Sequence, residues 1–592
     1  MRWGDWRFAL RELAGGDPDE GYEILAGALV PPPGEWNPAA SDAAPELLRH
    51  AEDRTATGRS SVLDVVDRVA HAAREAADRS WPPAWAAAVP RLTALLGDPD
   101  DAVRQAAALA LGAGPDPGGA VLRTLLGHFA TERSEAVRAG LVVAVAELGG
   151  ESVVPWLAER AADTALAVAV LASLARITGE IPVTRFADAF CEDLSAYDGM
   201  RGWHLPHHVL EWAVEGLAPP VQAEILLEVA ARPLRQAAAR EVAVTLVAER
   251  PSTTEALLPV FGRLLETPEC GPAAAVLGCL APESAGYADR LAALLDDAAG
   301  QDRDLAMWAL LRLRDRRAVG PQLARLTGAG PGDLSLRDLF GHAPEFADEV
   351  VPWACDLLRH PVRPRTVSQL ARLLAAWGPV AAPAVPLLAG HLGSEEPFVV
   401  QSCAGCLAAI GVAGEPVLSA LAEAVHRTRL PWAARCAAAT AFAVLGGDPS
   451  SADALLAEGL VRGDGTVAGL LAVLGPAAAH HAPALRAFEC PGPSAEVAVA
   501  RALARLTGDT AEAVPVLLRV LAGAGPDQPG PAAAEAARAL AELGPLPAGA
   551  APVLRELLAR DERLSSVIGW KGILEDRELR RNAALALENC VA

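Results

Sequence analysis

The stretch DPDDAVRQAAALALG, residues 98–112, decides the fold. Asp100 stands where an N-cap carboxylate accepts from the unpaired N–H groups of a first helical turn, worth about 1 kcal/mol. Acidic charge at that end also favours the helix dipole. Val103, Ala106, Ala107, Ala110 and Leu111 then fall on one stripe at i, i+3, i+4 spacing. Most of them are small, so a neighbouring helix axis can approach to roughly 8–10 Å. Gly112 or Gly114 is expected to take the left-handed conformation that ends the helix.

The same punctuation recurs along the chain. Apolar runs close on glycine at Gly112, Gly149, Gly179, Gly411, Gly446, Gly508 and Gly544. A second marker, a proline at the start of an apolar helix, appears at Pro90, Pro155, Pro352, Pro386, Pro515 and Pro552, with Pro352 and Pro386 separated by 34 residues. Proline costs nothing in a first turn, where its N–H would have no partner. A period in the thirties therefore describes a helix pair, repeated: an all-α solenoid.

Composition agrees. At 592 residues the chain exceeds the size at which one compact core keeps growing. It is 52% hydrophobic but only 4% aromatic, the rest being largely alanine, which suits close-packed helices better than sheets. Lys+Arg 51 against Asp+Glu 74 gives a net charge of −23, which disfavours a phosphate backbone as the main partner. The single lysine, Lys571, lies in SSVIGWKGIL without the glycine spacing of a phosphate-binding loop, and the Arg-for-Lys bias is that of a GC-rich, bacterial coding genome. MRWGDWRFALRELAGG lacks an apolar export core, and no run reaches the roughly 18 apolar residues of a bilayer span. Nine scattered cysteines fit a reducing compartment, so the expectation is a soluble, cytoplasmic chain.

The Asp-x-x-Val-Arg of Asp100 to Arg104, the Glu-Ala-Val-Arg of Glu135 to Arg138 and the proline of the first helix resemble HEAT repeats, particularly the short bacterial kind also found in phycobilisome lyases. The resemblance extends from about Ala43 to the C-terminus and implies a right-handed superhelical solenoid of antiparallel helix pairs. It also implies that Arg104 and Arg138 pair with acids of the neighbouring repeat as structural rungs. Arginine is missing at Val400-Gln401 and around Val168, so the ladder is expected to break there.

Four segments follow from this reading. Residues 1–42 form a helical cap with the linker PPPGEWNP; 43–180 are regular repeats; 181–350 are irregular repeats with an insertion at 186–216; and 351–592 are regular again, ending in a more polar capping helix.

The insertion gathers chemistry. FADAFCEDLSAYDGMRGWHLPHHVLEWAVEG contains Cys191, Trp203, His204, His207, His208 and Trp212. His204 and His208 have the spacing that places two imidazoles on one helical face, so His204, His207, His208 and Cys191 are the candidate metal ligands. Against this, Pro206 starts the helix after His204 and no glutamate completes an HExxH motif; a packed aromatic corner is the plainer reading. Cys403-Ala-Gly-Cys406 lies mid-helix and reads as buried small residues, His480-His481 as a solvated turn, and AGAGPDQPGP (522–531) as a linker. Trp156, Trp353, Trp377 and Trp432, with Trp203 and Trp212, either fill gaps beside alanines or form an aromatic stripe on the concave face, where Trp and Arg anchor partners.

The function expected from these features is a non-enzymatic protein-binding scaffold. Its concave, acidic surface would hold another protein, such as a basic segment or a basic toxin domain, with neither nucleic acid nor membrane as partner and no cofactor. Di-iron HEAT-like hydroxylases need His-Glu pairs, and none occurs. HEAT-like glycosylases need a basic groove, and nothing marks a bilin pocket. The surviving alternative is a metal- or small-ligand-binding enzyme centred on 186–216.

Overall fold

The computed structural model describes residues 6–15, 18–30, 37–76, 81–297, 300–329, 335–523, 531–565, 567 and 569–590. The linkers read at 31–36 and 524–530 lie outside the described residues. Among those described, the chain is helix after helix; the sole β feature is an isolated bridge between Leu546 and Cys590. The helices alternate as first and second members of stacked pairs, the solenoid that the period predicts.

The opening stretch forms the helix Asp101–Ala113, and Asp100 caps it as expected, its Oδ1 accepting from Ala102 N at 3.0 Å. Its close differs from the expectation. Gly112 is helical and Gly114 is extended (φ −92°, ψ 173°), so neither is left-handed. Gly112 serves packing instead: a Cβ there would lie 2.6 Å from Ala144 Cα of the next second helix, Glu135–Gly149. Gly149 is likewise not left-handed, whereas Gly179, Gly411 and Gly508 are, with φ of 76°, 75° and 71°. The prolines also divide. Pro155, Pro386 and Pro552 stand in first turns, but Pro90 and Pro352 lie inside their helices.

The arginine ladder is present where the motif is intact. Arg104 Nε reaches Glu132 Oε2 at 2.9 Å and Arg138 Nη2 reaches Asp163 Oδ2 at 3.3 Å, each acid belonging to the next repeat; Arg59 pairs with Asp98 in the same way at 2.6 Å. Where Val400-Gln401 lacks the arginine, a hydroxyl pair, Ser368 Oγ to Ser402 Oγ at 2.7 Å, joins the two second helices.

Three stretches, Glu135–Arg160, Pro364–His391 and Thr466–Arg486, are long and apolar enough to cross a membrane by length and composition, contrary to the expectation of none. Each is a second helix running into the next first helix. The two are bent apart at Gly150, Gly378 or Gly475, where φ is 50° to 60° and ψ −131° to −141°.

The chain divides into two compact units, 1–243 and 244–592. The cut falls inside the helix Gln236–Glu249. In the first unit the second helices run Arg59–Ala76, Asp101–Ala113, Glu135–Gly149, Ala167–Thr178, each packed on the one before.

In the second unit the succession of second helices closes on itself. From Gly271–Cys279 and Gly300–Arg312 each packs on its predecessor, through to Pro531–Glu542 and the last, Trp570–Glu588, which packs back on Gly271–Cys279. The Trp570 ring lies 5.0 Å from that of Trp308, and Arg577 Nη2 binds Glu283 Oε2 at 2.7 Å. Beneath them Arg563 donates to Val247 O (3.0 Å), Thr254 Oγ1 (3.0 Å) and Asp576 Oδ2 (2.9 Å). Asp576 is fully buried and also accepts from Leu564 N and Arg580 Nε, both at 2.9 Å. The helix Trp570–Glu588 is thus a clasp.

Candidate functional site

The insertion does not project as a free loop. After the helix Val183–Cys191 the chain makes two single turns, Ser195–Tyr197 and Met200–Gly202, that lie on the second helices of the first unit. Tyr197 and Met200 are 2% and 1% exposed, so the segment is anchored by its apolar side chains. Tyr197 Oη accepts from Ala169 N at 2.9 Å, and Gln105 Nε2 donates to both Ala136 O and Ala196 O. These bonds span three consecutive second helices.

At the tip the chain turns through Gly199, Arg201 and Gly202, all at positive φ (78°, 51° and 72°). Glycine tolerates that region freely, but an arginine held there is strained by about 1 kcal/mol or more. What holds it is a pocket of carboxylates. Arg201 Nη2 donates to Glu147 Oε2 at 2.9 Å and Asp67 Oδ1 at 3.2 Å. Its Nε lies 3.0 Å from Asp67 Oδ2 but off the line of a hydrogen bond. His71 Nε2 lies 3.2 Å from Arg201 Nη2. Behind them Asp64 Oδ2 accepts from Tyr22 Oη, which itself accepts from Arg68 at 3.1 Å. Asp64 Oδ1 is buried without a hydrogen bond.

The electrostatics follow from this crowding. Burial, with Asp67 alongside, pushes the Asp64 carboxyl up to about 6 against the pull of Tyr22, Arg68 and Arg201. Burial also pushes Glu147 upward, but Arg201 and His71 outweigh it and hold that carboxyl below its ordinary range. For Arg201 burial disfavours the charge, and Asp67 and Glu147 more than restore it. Two carboxylates, Asp67 and Glu147, bind the guanidinium, and a third, Asp64, lies behind them on Tyr22, which Arg68 also reaches.

The other candidates fall outside this pocket. His204 Nδ1 lies 3.4 Å from Asp198 Oδ1, its backbone N lies 3.4 Å from His208 Nδ1, and the rings of His207 and His208 meet edge to face at 4.3 Å. Burial and the two neighbouring imidazoles hold His208 below its ordinary pKa. Burial pushes the Cys191 thiol up, and its charged neighbours are Arg232, Arg235, Asp188 and Glu192, not the histidines. A recess of about 280 Å³ beside them is lined by Asp193, Asp198, Trp203, His204 and Arg235, among others. The rings of Trp203 and Trp212 lie 5.4 Å apart, tilted by 40°.

The tryptophans are spread over both members of the helix pairs. Trp156 and Trp353 belong to first helices, with Trp156 against Phe129 and under Arg160, and Trp353 Nε1 donating to Thr327 Oγ1 at 3.0 Å. Trp377 and Trp432 sit at helix ends and donate to Phe340 O and Leu455 O. Cys403 and Cys406 are buried, with burial pushing the Cys403 thiol up to about 12. His480 and His481 are not simply a solvated turn: His481 is 7% exposed, and both imidazoles face Asp453.

Sequence reading missed Arg201 and its acids. The available signal was local: Asp64, Asp67 and His71 fall three and four apart on one face of a helix whose other repeats are apolar there, and glycines bracket the arginine in Gly199-Met-Arg-Gly202.

Compared with known protein families, residues 89–177 match HEAT repeats. Among solved structures, the chain is similar to Kap121p bound to Nup53p at 13% identity, covering 98% of this chain and 68% of that one with a TM-score of 0.40. It is similar to importin beta at 12% identity, covering 98% and 93% with a TM-score of 0.40. For the S. pombe condensin Cnd3-Cnd2 subcomplex the values are 13%, 98%, 96% and 0.26. No curated protein matches the chain.

Proposed function

We propose that this HEAT-repeat protein is a non-enzymatic binding scaffold, and that its partner is a protein presenting a basic, arginine-bearing segment to the second-helix face of the first unit. One observation carries the reading: Asp67 and Glu147 clamp the guanidinium of Arg201 at 2.9–3.2 Å while Asp64 adds a third, incompletely bonded carboxylate. That is the chemistry by which a buried acidic groove recognises arginine, since a guanidinium presents several donors in a fixed fork. The chain's own turn at 199–202 holds the place a partner's arginine would take, and the net charge of −23 favours a basic protein over nucleic acid. Nine free thiols are consistent with work in the cytoplasm.

The test is affinity capture from lysate by the tagged chain, with wild type, Arg201→Ala and Arg201→Ala/Asp67→Asn/Glu147→Gln compared at low and high salt. A basic partner released by salt, enriched by Arg201→Ala and lost in the triple variant is the expected result. An acidic partner, or one indifferent to the triple variant, would overturn the arginine reading. An eluate without any protein partner would overturn the scaffold.

A further inference from the structure

We propose that Asp453, His480 and His481 form a binding site for one divalent cation of the zinc class, joining the first helices of two consecutive repeats in the second unit. Asp453 stands in the first turn of Ser450–Arg462, and the two histidines end the Gly475–His481 turn that leads into the next first helix, Ala482–Arg486. Sequence separates the acid from the histidines by a full repeat, and the stacking brings them together.

The geometry fits that of metal ligands. His480 Nε2 and His481 Nε2 each lie 3.3 Å from the same oxygen, Asp453 Oδ1, and the three ligand atoms lie within 4.8 Å of one another. A charge-assisted hydrogen bond between imidazole and carboxylate is shorter, about 2.7–2.9 Å. Two ligands of a tetrahedral zinc ion, bonded at about 2.0–2.2 Å, stand about 3.3–3.5 Å apart. Only His481 makes a hydrogen bond to the shared oxygen, so the His480 nitrogen faces it without that reason. The rings converge at a centroid distance of 4.2 Å although their residues are adjacent in sequence. Among the described residues this is the one place where three such ligand atoms meet.

Two imidazoles and a carboxylate make a mixed N/O set, which zinc accepts in four-coordination with a further position open to water or to a partner's side chain. Burial is graded to match: the His481 side chain is 9% exposed, whereas Asp453 is 38% and His480 57%. The inner ligand is fixed by packing and the open position faces outward.

The experiment uses the full chain, freed of metal with a chelator and titrated with zinc chloride by calorimetry, alongside His481→Ala, Asp453→Asn and a His204→Ala/His208→Ala control. The expected result is one equivalent bound by wild type and by the control, with affinity lowered at least 100-fold in His481→Ala and Asp453→Asn. Thermal melting gives a readout independent of any folding defect: zinc should raise the Tm of wild type and leave that of Asp453→Asn unmoved. No saturable binding by wild type would overturn the site. So would binding that survives in both site variants or disappears in the control.

Discussion

Arg563 in the second unit and Arg201 in the first are both buried arginines that tie an irregular segment to the repeats, and they are satisfied in opposite ways. Around Arg563 the cations outnumber the acid: Asp576 lies between Arg563 and Arg580, and both of its oxygens are bonded. Around Arg201 three acids face two arginines, Arg201 itself and Arg68 through Tyr22, and one carboxylate oxygen, Asp64 Oδ1, has no hydrogen bond. Buried polar groups in a finished structural joint are fully bonded, whereas an acid-rich pocket keeps capacity for more positive charge. The contrast separates a clasp from a recognition pocket using chemistry of the same kind.

The largest effect should come from emptying the clasp. Asp576→Ala leaves two buried guanidinium groups without their carboxylate and should cost about 3–5 kcal/mol. Hydrogen exchange should rise at 247–254 and at 561–580 together; unchanged exchange at 247–254 would show that the closure does not depend on it. Arg201→Ala should cost less, about 2–3 kcal/mol, because carboxylates left alone can take up protons as their pKa values rise. A loss as large as that of Asp576→Ala in denaturant titration would break the distinction.

Asp64 sharpens it through pH. Its folded pKa of about 6 exceeds the ordinary 3.8, so the folded state holds the proton more tightly and the buried carboxylate weighs against folding above pH 6. Asp64→Asn should therefore be more stable than wild type at pH 7 by roughly 1–3 kcal/mol, with the advantage shrinking as pH falls from 6 to 4 and vanishing below. An advantage independent of pH would mean that the acid is not under strain. Glu147, held low, works the other way: its contribution is present above its unfolded pKa and is lost as the pH falls through its folded value.

The smallest effects belong to the plain repeats around both joints. Gly112→Ala drives a methyl against the Ala144 backbone and should cost about 1–3 kcal/mol. Gly405→Ala, inside the helix Pro397–Ile410 with nothing within 4 Å of the new methyl, should gain about 0.5–1 kcal/mol. Thermal melts of the two should move in opposite directions.

The repeats were legible because their physics is local. Asp100 caps three residues from Val103, and the Val-Arg arginines find their acids one repeat away, a spacing the period itself supplies. Gly112 was misread for a related reason: a glycine near a helix end suits either a left-handed close or a close crossing, and only the neighbour, Ala144, decides. Arg201 and Arg563 were not legible. Arg201 lies 134 residues from Asp67, and Arg563 lies 316 from Val247, separations at which no periodicity couples the partners. His480-His481 was visible as a pair, but its meaning depended on Asp453 arriving from the preceding repeat.

The return of the helix Trp570–Glu588 to Gly271–Cys279 has a consequence for how such a chain can change over generations. An array with free ends tolerates gain or loss of a unit by unequal recombination, since each new interface copies an old one. A closed succession has a fixed number of places. Duplicating one helix pair within 244–592 would carry Arg577 and Trp570 past Glu283 and Trp308, just as duplicating one between Arg59–Ala76 and Glu135–Gly149 would part Asp67 from Glu147 across Arg201. Length variation among relatives of this chain should be rare inside the closure and between Asp67 and Arg201.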